Sequence, residues 1–470
     1  MNQAASYLRE QRAFFASGVT RRLPFRLTML RRLYRLLSAP PSKKALLAAL
    51  LADLGKERRE AVATEYRAAL GEIRCQITRL APLSAPRAVL PSLPQLGTLP
   101  LLSREPLGCV LILTPRTEPL AGAVCPLATA MAAGNTVTLK LSSAAPHTAA
   151  VLGKLLSSAF PLHYLSLLPE PRDRYPGLLT LPYDLICLQG SRESGKAVLR
   201  SAAENLTPAL LSLGGKCPCV VDETADLDLC ARRILRGKLL CGGKSPTAPD
   251  FIYCDRKILP LLVGSLVVEL KKLPGYDPIK RPYVGHAHNR EEYLRLMELI
   301  DEEKIVIGGH GDPETLGIAP TILSGIRLSD PIMREEILGP ILPIVTYERW
   351  EEVIPTLRAL PKPPALYLFS RSRAHLRQAL SSLSFGGGCI NEVGLQTLSP
   401  RLPHGGIGDS GMGQLHGRFG YEAFSRPRPL LLSLSSLDSP LRPRPVFSSA
   451  DADDNPLKPT VTERILGLFR

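Results

Sequence analysis

Cys109-Val-Leu-Ile-Leu-Thr114, the run from Leu120 to Ala133, and Val137-Thr-Leu-Lys140 decide the fold. The outer two are short apolar stretches of strand length, and the Ala-rich middle reads as a helix. Gly134-Asn135 closes that helix, because glycine takes the left-handed backbone of a C-cap without a Cβ clash. Strand, helix and strand in so short a span predict a parallel pair joined by a crossover. The alternation continues with a helix from His147 to Ser158 and a strand at Asp184-Leu-Ile-Cys-Leu188. A second unit starts near residue 214. It has strands at Pro218-Cys-Val-Val-Asp222 and Phe251-Ile-Tyr-Cys254, and helices over Leu227–Leu240 and Ile258–Leu273. The reading is an α/β chain with parallel sheets.

Composition agrees. The 470 residues are 45% hydrophobic and 21% charged, enough for two or three packed units. Aromatic residues make up 5%, so Leu, Ala and Val must build the core. No apolar run approaches the ~18 residues of a membrane span, and the start, Met1-Asn-Gln-Ala-Ala-Ser, has no signal-like apolar region. Ten cysteines without a dense framework predict buried thiols in a reduced, cytoplasmic protein. The net charge is +15, and residues 1–79 hold sixteen Lys or Arg against six Asp or Glu. Leu23, Leu27, Leu30, Leu33 and Leu37 form one helical stripe there, interleaved with Arg22, Arg26, Arg31, Arg32 and Arg35. A solvated basic face is the plainer reading. Peripheral contact with an anionic membrane through these helices is the functional one, and nucleic acid is not expected.

Three glycine or histidine motifs need weighing. Gly190-Ser-Arg-Glu-Ser-Gly195-Lys196 follows a strand and precedes a helix expected near Ala197, a setting in which backbone N–H groups hold phosphate. Ala197 lacks the hydroxyl that a nucleoside-triphosphate loop places on magnesium. Gly406-Ile-Gly408-Asp-Ser-Gly411 matches a dinucleotide fingerprint in letters, but no strand–helix unit surrounds it, so a glycine turn is expected. His286-Ala-His288 has no third ligand nearby and reads as a surface loop; no metal is expected.

Leu213-Gly-Gly-Lys216, Cys241-Gly-Gly-Lys-Ser-Pro-Thr-Ala-Pro-Asp250, Met333-Arg-Glu-Glu-Ile-Leu-Gly-Pro340 and Pro403-His-Gly-Gly-Ile-Gly-Asp-Ser-Gly-Met-Gly413, at their spacing, resemble the aldehyde dehydrogenase superfamily, most of all its class 3 branch. The resemblance covers roughly residues 5–432. It implies a Rossmann-type dinucleotide-binding domain, an α/β catalytic domain and a small bridging β arm. On that pattern, 1–81 are N-terminal helices of the dinucleotide-binding domain and 82–104 the bridging arm. Residues 105–213 are the dinucleotide-binding domain, 214–392 the catalytic-type domain, 393–432 an active-site loop returning to the bridge, and 433–470 a Ser/Pro-rich flexible tail.

The family oxidises aldehydes to acids by thiolate attack and hydride transfer to NAD or NADP. Carried over position by position, the nucleophile falls on Pro246, the general base on Ser212 and the oxyanion-hole Asn on Thr117. Proline has no reactive side-chain atom and no backbone N–H, so it removes half of the oxyanion hole as well. Ser245 and Cys241 lie close in sequence, without an evident base. Cofactor positions persist: Lys140 for the adenosine ribose, Gly190, Ser191 and Gly195 for the pyrophosphate, and Glu336 for the nicotinamide ribose. Arg116, Ser143 and Leu338 depart from the pattern. Ser143 removes a carboxylate that would repel a 2′-phosphate, so NADP is as admissible as NAD. The expectation is a pseudoenzyme that binds a dinucleotide, weakened, or partners itself or a related chain as a dimer. The alternatives are an active dehydrogenase with its nucleophile relocated, as at Cys241, and a basic peripheral interaction module.

Overall fold

The computed structural model describes residues 2–168, 176–272 and 286–433. The tail expected to be flexible therefore lies, apart from Ser433, outside the described residues. The strand–helix–strand reading holds: Cys109–Leu113, Ala121–Ala133 and Thr136–Lys140 follow one another, with Gly134 left-handed at φ 97° as the C-cap. The two strands pair in parallel. They sit in a six-stranded sheet in the order Gly411–Met412, Ala209–Leu213, Leu185–Gly190, Cys109–Leu113, Thr136–Lys140, Leu165–Leu168. Its first strand is antiparallel to its neighbour and the other pairings are parallel.

The second unit has a seven-stranded sheet in the order Ile305–Ile307, Thr321–Leu323, Ile341–Tyr347, Phe251–Asp255, Pro218–Val221, Ala365–Phe369, Gly387–Ile390. Its central strands are buried on both faces, which is why they read as continuous apolar runs rather than alternating ones. The third sheet is antiparallel: Arg87–Ala88, Thr98–Pro106 and Ser425–Ser433. It joins the arm after the N-terminal helices to the end of the described chain.

The basic segment is the helix Leu23–Ser38, which buries Leu30, Leu33 and Leu37 in the core of the first unit. Two of its arginines are structural. Buried Arg26 donates to the Ala132 carbonyl at 2.9 Å, and Arg32 to the Ala159 carbonyl at 3.0 Å. Each satisfies a carbonyl at a helix C-terminus, where a cation also meets the negative end of the helix dipole. Arg22, Arg31 and Arg35 remain exposed. Among the described residues no helix is long and apolar enough to cross a membrane.

Candidate functional site

In the first sheet, chain order reverses beside Cys109–Leu113: the next strand lies on one side and Leu185–Gly190 on the other. Ligand crevices in doubly wound sheets open at the carboxyl ends of strands at such a switch point. A cleft of about 310 Å³ opens there. Its walls are the loop Thr114–Glu118, the strand end Leu188–Ser191, Ser212, Gly214, Pro246, Glu336, Leu338 and His404. A second cavity of about 140 Å³ adjoins it, and Glu118, Gln189 and His404 belong to both.

Thr117, Ser212 and Pro246, far apart in sequence, all line the larger cleft. Thr117 is held by buried Lys56, whose ammonium donates to its carbonyl at 3.1 Å and to Glu65 Oε1 at 2.6 Å. The other Glu65 oxygen accepts from the backbone of Leu120 and Ala121, at the start of the next helix. Ser212 is fixed in the sheet between Gln189 and Gly411. The Pro246 carbonyl accepts from the Cys217 thiol at 3.4 Å.

Of the dinucleotide positions, Gly190, Ser191 and Glu336 are on the cleft wall. Lys140 is 2% exposed at the end of its strand and is not on the wall of this cleft or of the hollow lined by Leu141–Ser143. The expected phosphate loop is shorter than its glycines suggest. The helix begins at Arg192 rather than near Ala197, with Ser191 as N-cap accepting from Ser194 N at 3.2 Å. Gly195 is thus inside the first turn and packs on Leu213, where a Cβ would come within 2.9 Å of the leucine methyls. That geometry also removes the triphosphate-loop reading. Gly406–Gly411 is a turn, as expected, leading into the short strand Gly411–Met412. His286-Ala-His288 is not an open surface loop. His286 bridges Gly317, Ala287 is buried, and the His288 backbone N–H donates to Glu292 at 2.8 Å. Among the described residues no group of three or more His, Cys, Asp or Glu is placed to hold a metal ion.

One lysine explains why three of the motifs occur together. The Lys216 ammonium pairs with Asp250 and donates to the carbonyls of Ile332 and Glu335, each at 2.9 Å. Asp250 Oδ1 in turn accepts from Ile337 N at 3.0 Å. The ends of Leu213–Lys216 and Cys241–Asp250 are therefore tied to the Met333–Pro340 loop. Glu336 is carried over Gly214 so closely that a Cβ there would lie 2.0 Å from its carboxylate.

A model of the aldehyde dehydrogenase family matches residues 9–429. The chain belongs to the aldehyde dehydrogenase family. It is 35% identical over 441 residues to a 4,4′-diaponeurosporen-aldehyde dehydrogenase of Staphylococcus aureus, covering 93% of this chain and 96% of that protein. It is 36% identical over 442 residues to a dimeric NADP-preferring aldehyde dehydrogenase of Canis lupus familiaris, covering 92% and 95%. A family 3 member H1 of Arabidopsis thaliana is 35% identical over 434 residues, covering 91% and 89%. A solved Staphylococcus aureus AldH in a substrate-bound state superposes with TM-score 0.92 at 33% identity, covering all of both chains. These likenesses place this aldehyde dehydrogenase-family chain with the class 3 type of member.

The site of this aldehyde dehydrogenase-family chain carries charges that its sequence hides. Ser245 does have a carboxylate partner: its hydroxyl donates to Glu118 Oε1 at 3.1 Å. Burial raises the Glu118 pKa, against the lowering effect of Lys56. Among the described residues no base is hydrogen-bonded to the Cys241 thiol. Burial first, then nearby Glu118, Glu60 and Glu65, push its thiol up to about 12 against the opposing pull of Lys56. Burial and Asp250 push Glu336 up to about 8. Burial lowers His404 to about 3, so that imidazole stays neutral. His416, on the inner cavity, is fixed by Glu72 at 3.0 Å. His404 stands in a stretch legible as a motif, and Glu118 next to Thr117. Their convergence, and the Ser245–Glu118 contact across 127 positions, needs the fold.

Proposed function

We propose that this chain is a dinucleotide-binding member of the aldehyde dehydrogenase family that does not run the family's thiol chemistry. The observation that carries the reading is the convergence of Pro246, Ser212 and Thr117 on one cleft wall. Nucleophile, base and amide donor would all be missing at the point where an aldehyde would react. Losing an oxyanion donor costs about 10²–10³ in rate and losing a nucleophile about 10⁶, non-additively. Relocation to Cys241 is the rival, and the raised thiol pKa argues against it, since the thiolate is the attacking form.

The residues present fit a dinucleotide. The cleft lies at the switch point, and Gly190 and Ser191 lead into a helix N-terminus that suits pyrophosphate. Glu336 is on the wall for the nicotinamide ribose. The cleft continues past Ser142 into a second hollow with Ser143, Ala149 and Gly153 on its walls, small enough side chains for a flat base. Lys140 and Gly195 would act from beneath this surface rather than on it. When bound, NAD or NADP would supply a hydride acceptor. Relatives named as dimeric, together with the exposed strand Ser425–Ser433, support a homodimer or a dimer with a related chain.

Two measurements test the reading. Calorimetric titration with NAD and NADP is expected to show binding of at least one, and absence of both overturns the nucleotide role. Purified protein supplied with medium-chain or aromatic aldehydes and either dinucleotide is expected to produce no reduced nucleotide at ordinary enzyme rates. Turnover at such rates overturns the inactivity.

A further inference from the structure

Glu118 is an acid that the proposed function does not use. It projects where the two cavities join and lines both. Among the described residues its carboxylate has one hydrogen bond, from Ser245, and no cation pairs with it. Nearby Lys56 is committed to Glu65 and the Thr117 carbonyl. His404 is neutral, and His416 faces Glu72. Arg236 lies at the exposed rim of the inner cavity, and Glu392 there is joined to Arg233 at 3.0 Å.

Cys125 and Cys241 both line the inner cavity. Both thiols are raised by burial first; Glu118 and Glu65 raise them further, with Glu72 acting on Cys125 and Glu60 on Cys241, while Lys56 opposes the rise at Cys241. The rest of the wall is largely apolar, including Ala68, Leu240, Val393, Leu398 and Leu415. At about 140 Å³ the space is close to that of a cavity able to take a benzene-sized ligand.

We propose that the inner cavity binds a small organic cation, with an alkylammonium head on the Glu118 carboxylate and its carbon chain along the apolar wall. A carboxylate drawn part-way out of water without a counter-ion is costly, and a ligand cation offsets that cost while the chain leaves water. The inference goes beyond the dinucleotide reading above, because it concerns the inner cavity rather than the cleft. It carries a pH signature. The groups facing Glu118 are Lys56, Glu65, Ser245 and His416, with Cys125, Cys241 and His404 on the same cavity wall. Of these, Glu118 itself is the group that the ligand charge drives towards ionisation. Since its pKa is raised in the empty protein, binding releases a proton and strengthens as pH rises.

The test is titration of the full-length protein, without nucleotide, with n-pentylamine and with pentan-1-ol in buffers of different ionisation enthalpy. The ammonium is expected to bind at least tenfold more tightly, to release protons, and to gain affinity as the pH rises. E118Q is expected to bring the amine to the level of the alcohol. If that variant does not fold, the amine-to-alcohol ratio and the proton release of the unaltered protein decide. Equal binding of the two ligands, unchanged amine binding by folded E118Q, or no amine binding at millimolar concentration overturns the proposal. Aldehyde turnover and NAD titration are separate measurements, so failure here leaves the proposed function standing and failure there leaves this result readable.

Discussion

At the residue scale, Pro246 is a double loss, of a reactive atom and of a backbone donor, and the structure sets it on the same wall as Thr117 and Ser212. That arrangement makes the proposed inactivity a property of three positions. P246C alone is therefore expected to remain at least 10²-fold slower in aldehyde oxidation than P246C combined with T117N and S212E, the factor associated with one lost oxyanion donor. Equal rates, read by nucleotide reduction, would show that the proline alone is the block. Glu336 offers a second residue-level test. Its pKa rises from 4.5 to about 8 on folding, so the folded protein holds the proton more tightly than the unfolded chain. The stability this gives is complete below pH 4.5 and is lost as pH rises through 8. E336Q should match the native chain near pH 4.5 and become the more stable of the two towards pH 8, in urea melts at each pH. A constant gap across that window would remove Glu336 from the account. Pro246 was legible because it lies inside a motif of fixed spacing, and Ser212 and Thr117 because the family resemblance carries the other two positions onto them. Glu118 and Ser245 were not legible as a pair, because neither their spacing nor their residue types signal a contact between separate loops.

At the element scale, strands and helices of both units could be read closely, because buried parallel strands are continuous apolar runs and the helices between them carry apolar faces. The misplaced helix start at Arg192 has a physical cause. Glycines at 190 and 195 suggest one loop, but only Gly190 ends a strand, while Gly195 is required by contact with Leu213 inside the helix. The usable signal was Ser191 followed three residues later by Ser194, an N-cap in which the Ser191 hydroxyl accepts from the Ser194 backbone. The arginine-rich helix shows the converse: its leucine stripe is plain in sequence, but charge patterning cannot tell that Arg26 and Arg32 are spent on helix ends. Lys216 is the element-level joint, with side chains of the pair only 14% and 4% exposed. K216M leaves Asp250 buried without its cation and two carbonyls without a donor, and is expected to cost about 3–5 kcal/mol. Urea unfolding checks this, and a loss below 1 kcal/mol would mean that the loop around Glu336 is held by packing instead.

At the scale of the whole molecule, the three sheets differ in what they leave open. Among the described residues, Ser425–Ser433 is an edge strand whose inner neighbour is Thr98–Pro106 and whose outer side has no strand partner. Pro427 and Pro429 blunt its first half, since proline cannot donate to a further strand. Its second half has no such guard: Leu430, Leu431 and Leu432 are 45%, 52% and 48% exposed. Among the described residues these three consecutive leucines are open to water, which is a liability in a monomer, and covering them is a physical reason for the proposed dimer. The family resemblance implied that 393–432 return to the bridging arm, but the pairing itself needs the fold, because strand partners such as Ser103 and Arg428 stand far apart in the chain. The 51.1 kDa chain is therefore expected to sediment at twice its mass. L431K places a charge in the middle of the open half and should shift the distribution towards the single chain, with the far-ultraviolet spectrum unchanged. Nucleotide binding is expected to survive that shift, since Gly190, Ser191 and Glu336 stand together on the cleft of a single chain. A variant that stays dimeric would move the interface elsewhere, and one that becomes monomeric and loses nucleotide would show that the cleft depends on the partner.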